Sequence, residues 1–333
     1  MVTKLRAKAG ARRLSASSLI YISVRYPLPL LPSGHGRVES TTLKTLFAVI
    51  AFGVVILVAL AGYGNARWNA GTTQLLNRLD VAQVKTAPQF YNAQELQGLP
   101  DPVKRYFETV LKDGQPIITG ATVQHSGTFN MGEMIDDWKP FTSTQRVVTK
   151  RPGFDWDARV TLFPGVAAYI HDAYISGSGL LKVAIFGLIP VADLPATADL
   201  SRGELLRYLA EAAWYPTALL PSQGVVWKSI DAQSAIATLT DGDITLSMRF
   251  GFGANGLIDT GRAESRGRLV GSTMTYLPWQ GRFWNYTQKS GMLVPLEAEV
   301  AWVLPEGPRP YYRSLMSTVN YDYASPANNS PTP

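Results

Sequence analysis

The chain has 333 residues, no cysteine, three histidines and a formal charge of +6. Without cysteine there are no disulfides, thiolate metal sites or thiol nucleophiles, and three histidines are too few for a histidine-rich zinc site. The positive charge does not imply a nucleic-acid partner. It is concentrated in Lys4, Arg6, Lys8, Arg12, Arg13, Arg25, Arg37 and Lys44 against Glu39 alone, and the remainder is close to neutral, with no basic footprint for phosphate.

That arm, residues 1–45, leads into an uncharged apolar run at 46–64. At ~1.5 Å per residue the run is about as long as a bilayer's hydrocarbon is thick. The spacing predicts a single transmembrane helix. The positive-inside bias puts the arm in the cytoplasm and everything after Trp68 outside it, in a periplasmic or extracellular setting. Tyr63 and Trp68 suit an interfacial aromatic belt. A cleaved signal peptide is the competing account, because Ala59-Leu60-Ala61 offers small residues behind an apolar core.

Residues 65–94 read as a tether, with Leu75, Leu76, Leu79 and Ala82 marking a helical piece. An extramembrane domain then spans 95–323, and 324–333 is a polar, Pro-rich tail expected to be disordered. The domain opens with a helix: Asp101 as N-cap, Pro102 in the first turn, Val103, Tyr106, Phe107, Val110 and Leu111 at helical spacing, and Gly114 as the stop. Strands come next. Phe154, Trp156, Ala158, Val160 and Leu162 alternate with polar residues, as do Ile244 to Phe252 and Leu296 to Leu304, with Asp241-Gly242 and Asn255-Gly256 as hairpin turns. Ten to twelve mostly antiparallel strands are expected. A second helix is signalled by Ser201 and Glu204 as a capping box, Leu205, Leu206 and Leu209 as its apolar stripe and Pro216 as its end. The fold class is α+β: a large curved antiparallel sheet, an incomplete barrel, covered by helices.

The chemistry is sparse. Gly251 to Gly256 matches the dinucleotide spacing G-x-G-x-x-G, but Leu257 to Arg262 lack a helical stripe and read as the next strand, so a bulged hairpin is expected in its place. No metal or cofactor site is expected. The apolar run Leu180 to Val191 reads as sandwiched between layers or as a docking segment for a partner in an envelope complex. The many large rings point to a lined cavity, with Phe154, Trp156, Trp214, Tyr215, Phe250 and Trp302 as ligand-binding candidates. Arg151, Arg207 and Glu211 are candidates for its mouth or lid. Arg207 and Glu211, four apart on the second helix, read either as an exposed ion pair or as a latch.

Arg151-Pro152-Gly153-Phe154-Asp155-Trp156 resembles the RPG-F-x-W segment of periplasmic lipoprotein carriers, half-barrels whose curved sheet and helical lid enclose a cavity for acyl chains. The segments Gly203 to Pro221, Val225 to Asp231, Pro278 to Tyr286 and Glu299 to Arg313 resemble an uncharacterised family of bacterial membrane-anchored proteins. These resemblances imply a lipid or other apolar ligand, bound without catalysis by a membrane-tethered domain. The alternatives are a hydrolase or transferase using Glu211 with His125 or His171, and a structural partner of an envelope complex.

Overall fold

The computed structural model describes residues 40–132, 135–270 and 273–325; most of the basic arm, and the tail from 326, lie outside the described residues. Residues up to Gly53 form one unit and those from Val54 a second. In the first, the described chain is the start of helix α1 (Ser40–Ala82), with Leu46, Phe47, Val49, Ile50 and Phe52 exposed. By length and composition, α1 could cross a membrane.

The second unit is built on one 13-stranded antiparallel sheet. The first half is β1 (Ile118–Asn130), β2 (Trp138–Val148), β3 (Gly153–Phe163), β4 (Val166–Ile175), β5 (Ser178–Ile185) and β6 (Ile189–Leu194). The second half is β7 (Val226–Asp231), β8 (Ser234–Asp241), β9 (Ile244–Phe252), β10 (Ile258–Val270), β11 (Thr273–Lys289), β12 (Met292–Leu304) and β13 (Gly307–Tyr323). Each half is a meander. β1 and β13 pair at the centre, while β6 and β7 are the two outer strands, so the sheet is open and the barrel incomplete. Tight turns help fix the register: Ser176-Gly177 and Ser290-Gly291 have both φ angles positive (54° and 85°, 49° and 84°), as two-residue hairpins of right-handed twist require.

A single-layer sheet has no core unless its inner face is covered. Helix α2 (Asp101–Val110) buries Val103, Tyr106, Phe107 and Val110 and touches β8 and β12. Helix α3 (Ala198–Glu211) touches β3, β4 and β5 of one half and β9 and β10 of the other, so the sheet curls around it.

Both helix starts differ from the sequence reading. Asp101 lies inside α2, whose N-cap is Pro100 without a side-chain bond, and the helix ends at Val110, ahead of Gly114. α3 begins earlier, capped by Thr197 accepting from the Leu200 amide. The proposed capping box does not form, because both of its members have other partners. Ser201 Oγ accepts the Gly179 amide of β5 at 2.9 Å, and Glu204 pairs with Arg266. The run Leu180 to Val191 forms the outer hairpin β5–β6 and is sandwiched only in β5, where Leu180 packs on the cluster under α1 and Val183 and Ile185 on the inner core; in β6, Ile189 is 62% and Val191 63% exposed.

The stretch read as a tether carries on α1, and its second half packs on the outer face of the sheet. Leu75 and Leu79 join Val148, Ala173 and Ile175 in a buried cluster. Trp68 is buried rather than placed as a belt residue. It stacks on His171 with ring centroids 4.5 Å apart and donates Nε1–H to Asp157 at 2.9 Å. Thr72 Oγ1 lies 3.1 Å from Asp157 and 3.2 Å from His171 Nε2, while His171 Nδ1 meets Asp155 at 2.9 Å. The paired aspartates of β3 therefore clamp a helix. Since Leu79 is fully buried, Leu79→Ala is expected to destabilise the fold by ~2–5 kcal/mol, measured by urea unfolding, whereas an exposed tether residue would change it by under ~0.5 kcal/mol.

Candidate functional site

Strand register builds the inner wall. Val123, Gln145, Trp156, Asp172 and Leu181 form a row across β1 to β5, each paired with the next. α3 lies over this row but does not fill the trough. Between the first half of α3, the ends of β1, β5 and β6, and strands β10 to β13 is a cavity of about 520 Å³, within the usual range for small-molecule sites. Leu181, Leu194, Leu200, Met274, Phe129, Trp302 and Tyr311 supply apolar wall; Asp172, Glu204 and Arg266 stand among them, and Arg268 and Arg309 also line the space. A smaller recess of about 110 Å³ shares Phe129, Asp172, Arg266 and Tyr311 with it and is lined by Trp156, Trp214, Trp279, Phe283, Arg207 and Glu211.

The polar part is a closed ion cluster. Arg207 donates to Asp172 at 2.6 Å and to Glu211 at 2.7 Å, and Gln145 donates to the second Glu211 oxygen at 2.6 Å. Arg266 donates to Glu204 at 3.1 Å. The guanidinium of Arg207 lies over Phe154 and Trp156 and that of Arg266 over Trp279, 4.7–5.1 Å from the ring centroids, which favours cations sheltered from water. Burial opposes the charge on Arg207, but Glu211, Asp172 and Glu204 outweigh it and hold the group protonated.

Glu204 Oε2 and Asp172 Oδ1 are buried acceptors without a donor. One proton between them satisfies both. Burial first, and then the neighbouring Asp172, push Glu204 up to about 8. With Glu204 protonated, the charges of Arg207 and Arg266 are balanced by those of Asp172 and Glu211, so the cluster is neutral. That is the inexpensive state for charges out of water.

The sequence-predicted residues fall into three groups. Trp156, Trp214, Arg207 and Glu211 line the recess and Trp302 the larger cavity. Phe154, Tyr215 and Phe250 are fully buried in the packed core and line neither space. Arg151 is an exposed turn residue with φ 61°, away from both. Arg207 and Glu211 are bonded to each other, but their side chains are only 11% and 12% exposed, so the surface ion pair is not what forms. The sheet raises Asp172 and Gln145 to meet them.

Neither histidine joins Glu211. His171 faces α1 on the outer side of the sheet. His125 has both ring nitrogens unbonded, packs 4.5 Å from Trp214, and is lowered to about 3 by burial, so it is neutral. Among the described residues no three histidines, aspartates or glutamates converge as a metal would require. Arg266 escaped the sequence reading and Glu204 was read only as part of a capping box; neither these two nor Asp172 was placed at the cavity, since Glu204 and Arg266 meet across 62 positions and only their bond reveals them.

A family profile described as "Family of unknown function (DUF6920)" matches residues 97–321. The chain belongs to that family. No curated protein matches it. Among solved structures, it is similar to a LolA superfamily protein from Nitrosomonas europaea, at 12% identity and a TM-score of 0.29, covering 70% of this chain and 94% of that one. It is also similar to a beta-barrel-like protein of the domain of unknown function DUF1849 from Brucella abortus, at 8% identity and a TM-score of 0.20, covering 62% and 99%. Likenesses so distant carry no functional argument.

The cluster makes a signed prediction. Glu204 is raised from 4.5 to about 8, so its contribution to stability is complete below the unfolded value and is lost as pH rises through the folded one. Glu204→Gln keeps a donor for Asp172 and cannot ionise. Urea unfolding at about pH 5 and about pH 9 should show the variant gaining stability on the wild type toward the higher pH. Parallel pH profiles would contradict the shared proton.

Proposed function

We propose that this is a membrane-tethered, extracytoplasmic domain that holds a lipid or other apolar ligand, without catalysis, between α3 and the sheet. The observation that carries the reading is the cavity of about 520 Å³ with Leu181, Leu194, Leu200, Met274, Trp302 and Tyr311 in its wall. Such a surface gains by excluding water, about 0.8 kcal/mol for each methylene buried, so a dozen methylenes supply ~10 kcal/mol. Association costs of at least ~4 kcal/mol leave at most ~6 kcal/mol, an affinity of tens of micromolar at best. Tethering is supported by the length and composition of α1 and by the basic residues that precede it. The ion cluster gives the ligand a polar floor of zero net charge, against which a headgroup can be oriented.

Gly203 provides the control. It lies inside α3 and lines the cavity, and an added Cβ would stand 3.4 Å from Arg266, an ordinary contact. Glycine within a helix costs ~1 kcal/mol relative to alanine, so this position holds space open. A fluorescent fatty acid should bind saturably to protein lacking the residues up to Tyr63 and be displaced by phospholipid. Gly203→Leu, which places side-chain volume in the cavity, should abolish binding while preserving the circular dichroism spectrum. No saturable binding by a folded wild type would contradict the reading.

A further inference from the structure

The cavity opens toward one end of the strands, and that end is recognisable by register. Gly127, Phe141, Val160, Ala168 and Ile185 lie level across β1 to β5. The β1–β2 loop, the β3–β4 turn and the β5–β6 turn therefore all project beyond that row, on the side where Phe129, Asn130 and Gly132 line the cavity. In the other half, Trp302 and Arg309 are paired near the β12–β13 turn, and Arg268 and Met274 lie near the β10–β11 connection. Both halves thus place the mouth at the same end.

Within the second unit, helix α1 also reaches that end. Running back from Leu79, beside Gly153, through Thr72 to Trp68, beside Tyr169, it reaches the β5–β6 turn at Gly64. A Cβ on Gly64 would collide with the Phe186 carbonyl, and one on Gly187 would lie 2.7 Å from the Gly64 carbonyl. The two glycines let the backbones touch, and the Trp68–Asp157 bond fixes the direction. Ahead of Gly64, Val54, Val55, Leu57, Val58, Leu60 and Tyr63 are all exposed.

The same end also carries exposed apolar side chains where turns would ordinarily be polar. Ile135 is 83% exposed, Phe163 64%, Val191 63%, Ile189 62% and Met131 48%. Met131 and Ile135 sit on the β1–β2 loop, Phe163 ends β3, and Ile189 and Val191 open the outer strand β6, so no single local packing fault explains them. Within the same unit the apolar residues Val54 to Tyr63 precede Gly64, so a single apolar phase, a bilayer, would serve both the rim and this part of α1.

We propose that this rim docks on the membrane surface, with Met131, Ile135, Phe163, Ile189 and Val191 seated in the boundary between headgroups and acyl chains, so that the cavity mouth faces the bilayer and its ligand passes between membrane and cavity without crossing water. This rests on the tethered reading of α1. It adds a direction, mouth toward the membrane, that the tether alone does not supply. Interfacial apolar groups settle about 5–10 Å into that boundary, which loop and strand-end residues on one rim can do without rearranging the sheet.

The absence of cysteine makes single-cysteine labelling unambiguous. Full-length protein carrying Ile189→Cys, Phe163→Cys, Leu57→Cys or Ile230→Cys, each labelled with an environment-sensitive fluorophore, would be reconstituted into phosphatidylcholine–phosphatidylglycerol vesicles. Leu57 reports the tether and Ile230, exposed on β7, is the control away from the rim. The labels at 189 and 163 should shift to the blue on reconstitution and lose intensity to spin-labelled lipid, while the label at 230 stays quenchable by aqueous iodide. If 57 reads lipid while 163 and 189 remain aqueous, the rim is refuted and the tether stands. If 57 also reads aqueous, the tether fails and the rim with it.

Discussion

The structure depends on a helix lying in the trough of a single open sheet. With one layer and two unpaired edges, the sheet can bury its inner face only against what is laid upon it, and α3 is too short to cover all of it. Its second half packs closely, with Leu205, Leu209 and Ala210 buried. Its first half stands over the cavity. The position of the helix is fixed by bonds as well as by packing. Arg207, tied to Asp172 and Glu211, cannot move outward without breaking an ion pair sheltered from water, and a buried charge stripped of its partner costs several kcal/mol. The space beside α3 is therefore held open by the same cluster that anchors the helix.

The cluster also sets the character of the cavity. Aromatic faces under both guanidinium groups and a proton between Glu204 and Asp172 let five ionisable groups share a low-dielectric site. An apolar ligand then meets a floor whose charges cancel, with Arg268 and Arg309 also in the lining. The outer face obeys different logic. There Asp155, Asp157 and His171 bind α1 through Trp68 and Thr72, and opposite sides of the same two strands serve α1 and the cavity because successive side chains alternate in direction.

The sheet was legible in the sequence wherever one face is core. The alternation from Phe154 to Leu162 gives β3 nearly to the residue, and Ile244 to Phe252 gives β9 as observed. What local pattern could not supply was the partner of a polar residue. Ser201 and Glu204 have the spacing of a capping box, but each bonds to a strand distant in sequence, and the true cap is Thr197. Arg207 and Glu211 were recognisable as a pair from their spacing of four, while their burial depends on Asp172 and Gln145, contributed by strands β4 and β2. Large rings were a blunt guide for a related reason. Trp156 and Trp302 border space whereas Phe154 and Phe250 are closed in, a difference set by where α3 ends.

The central claim is the proposed one, that the space beside α3 holds a lipid or other apolar ligand. Native mass spectrometry of the full-length protein, gently extracted from the cells that make it, tests this most directly. The account predicts a chain carrying about one acyl-bearing molecule, matching a single cavity of this size, that is released on unfolding and identifiable by fragmentation. A folded protein whose mass is that of the polypeptide alone, across mild extraction conditions, would contradict it.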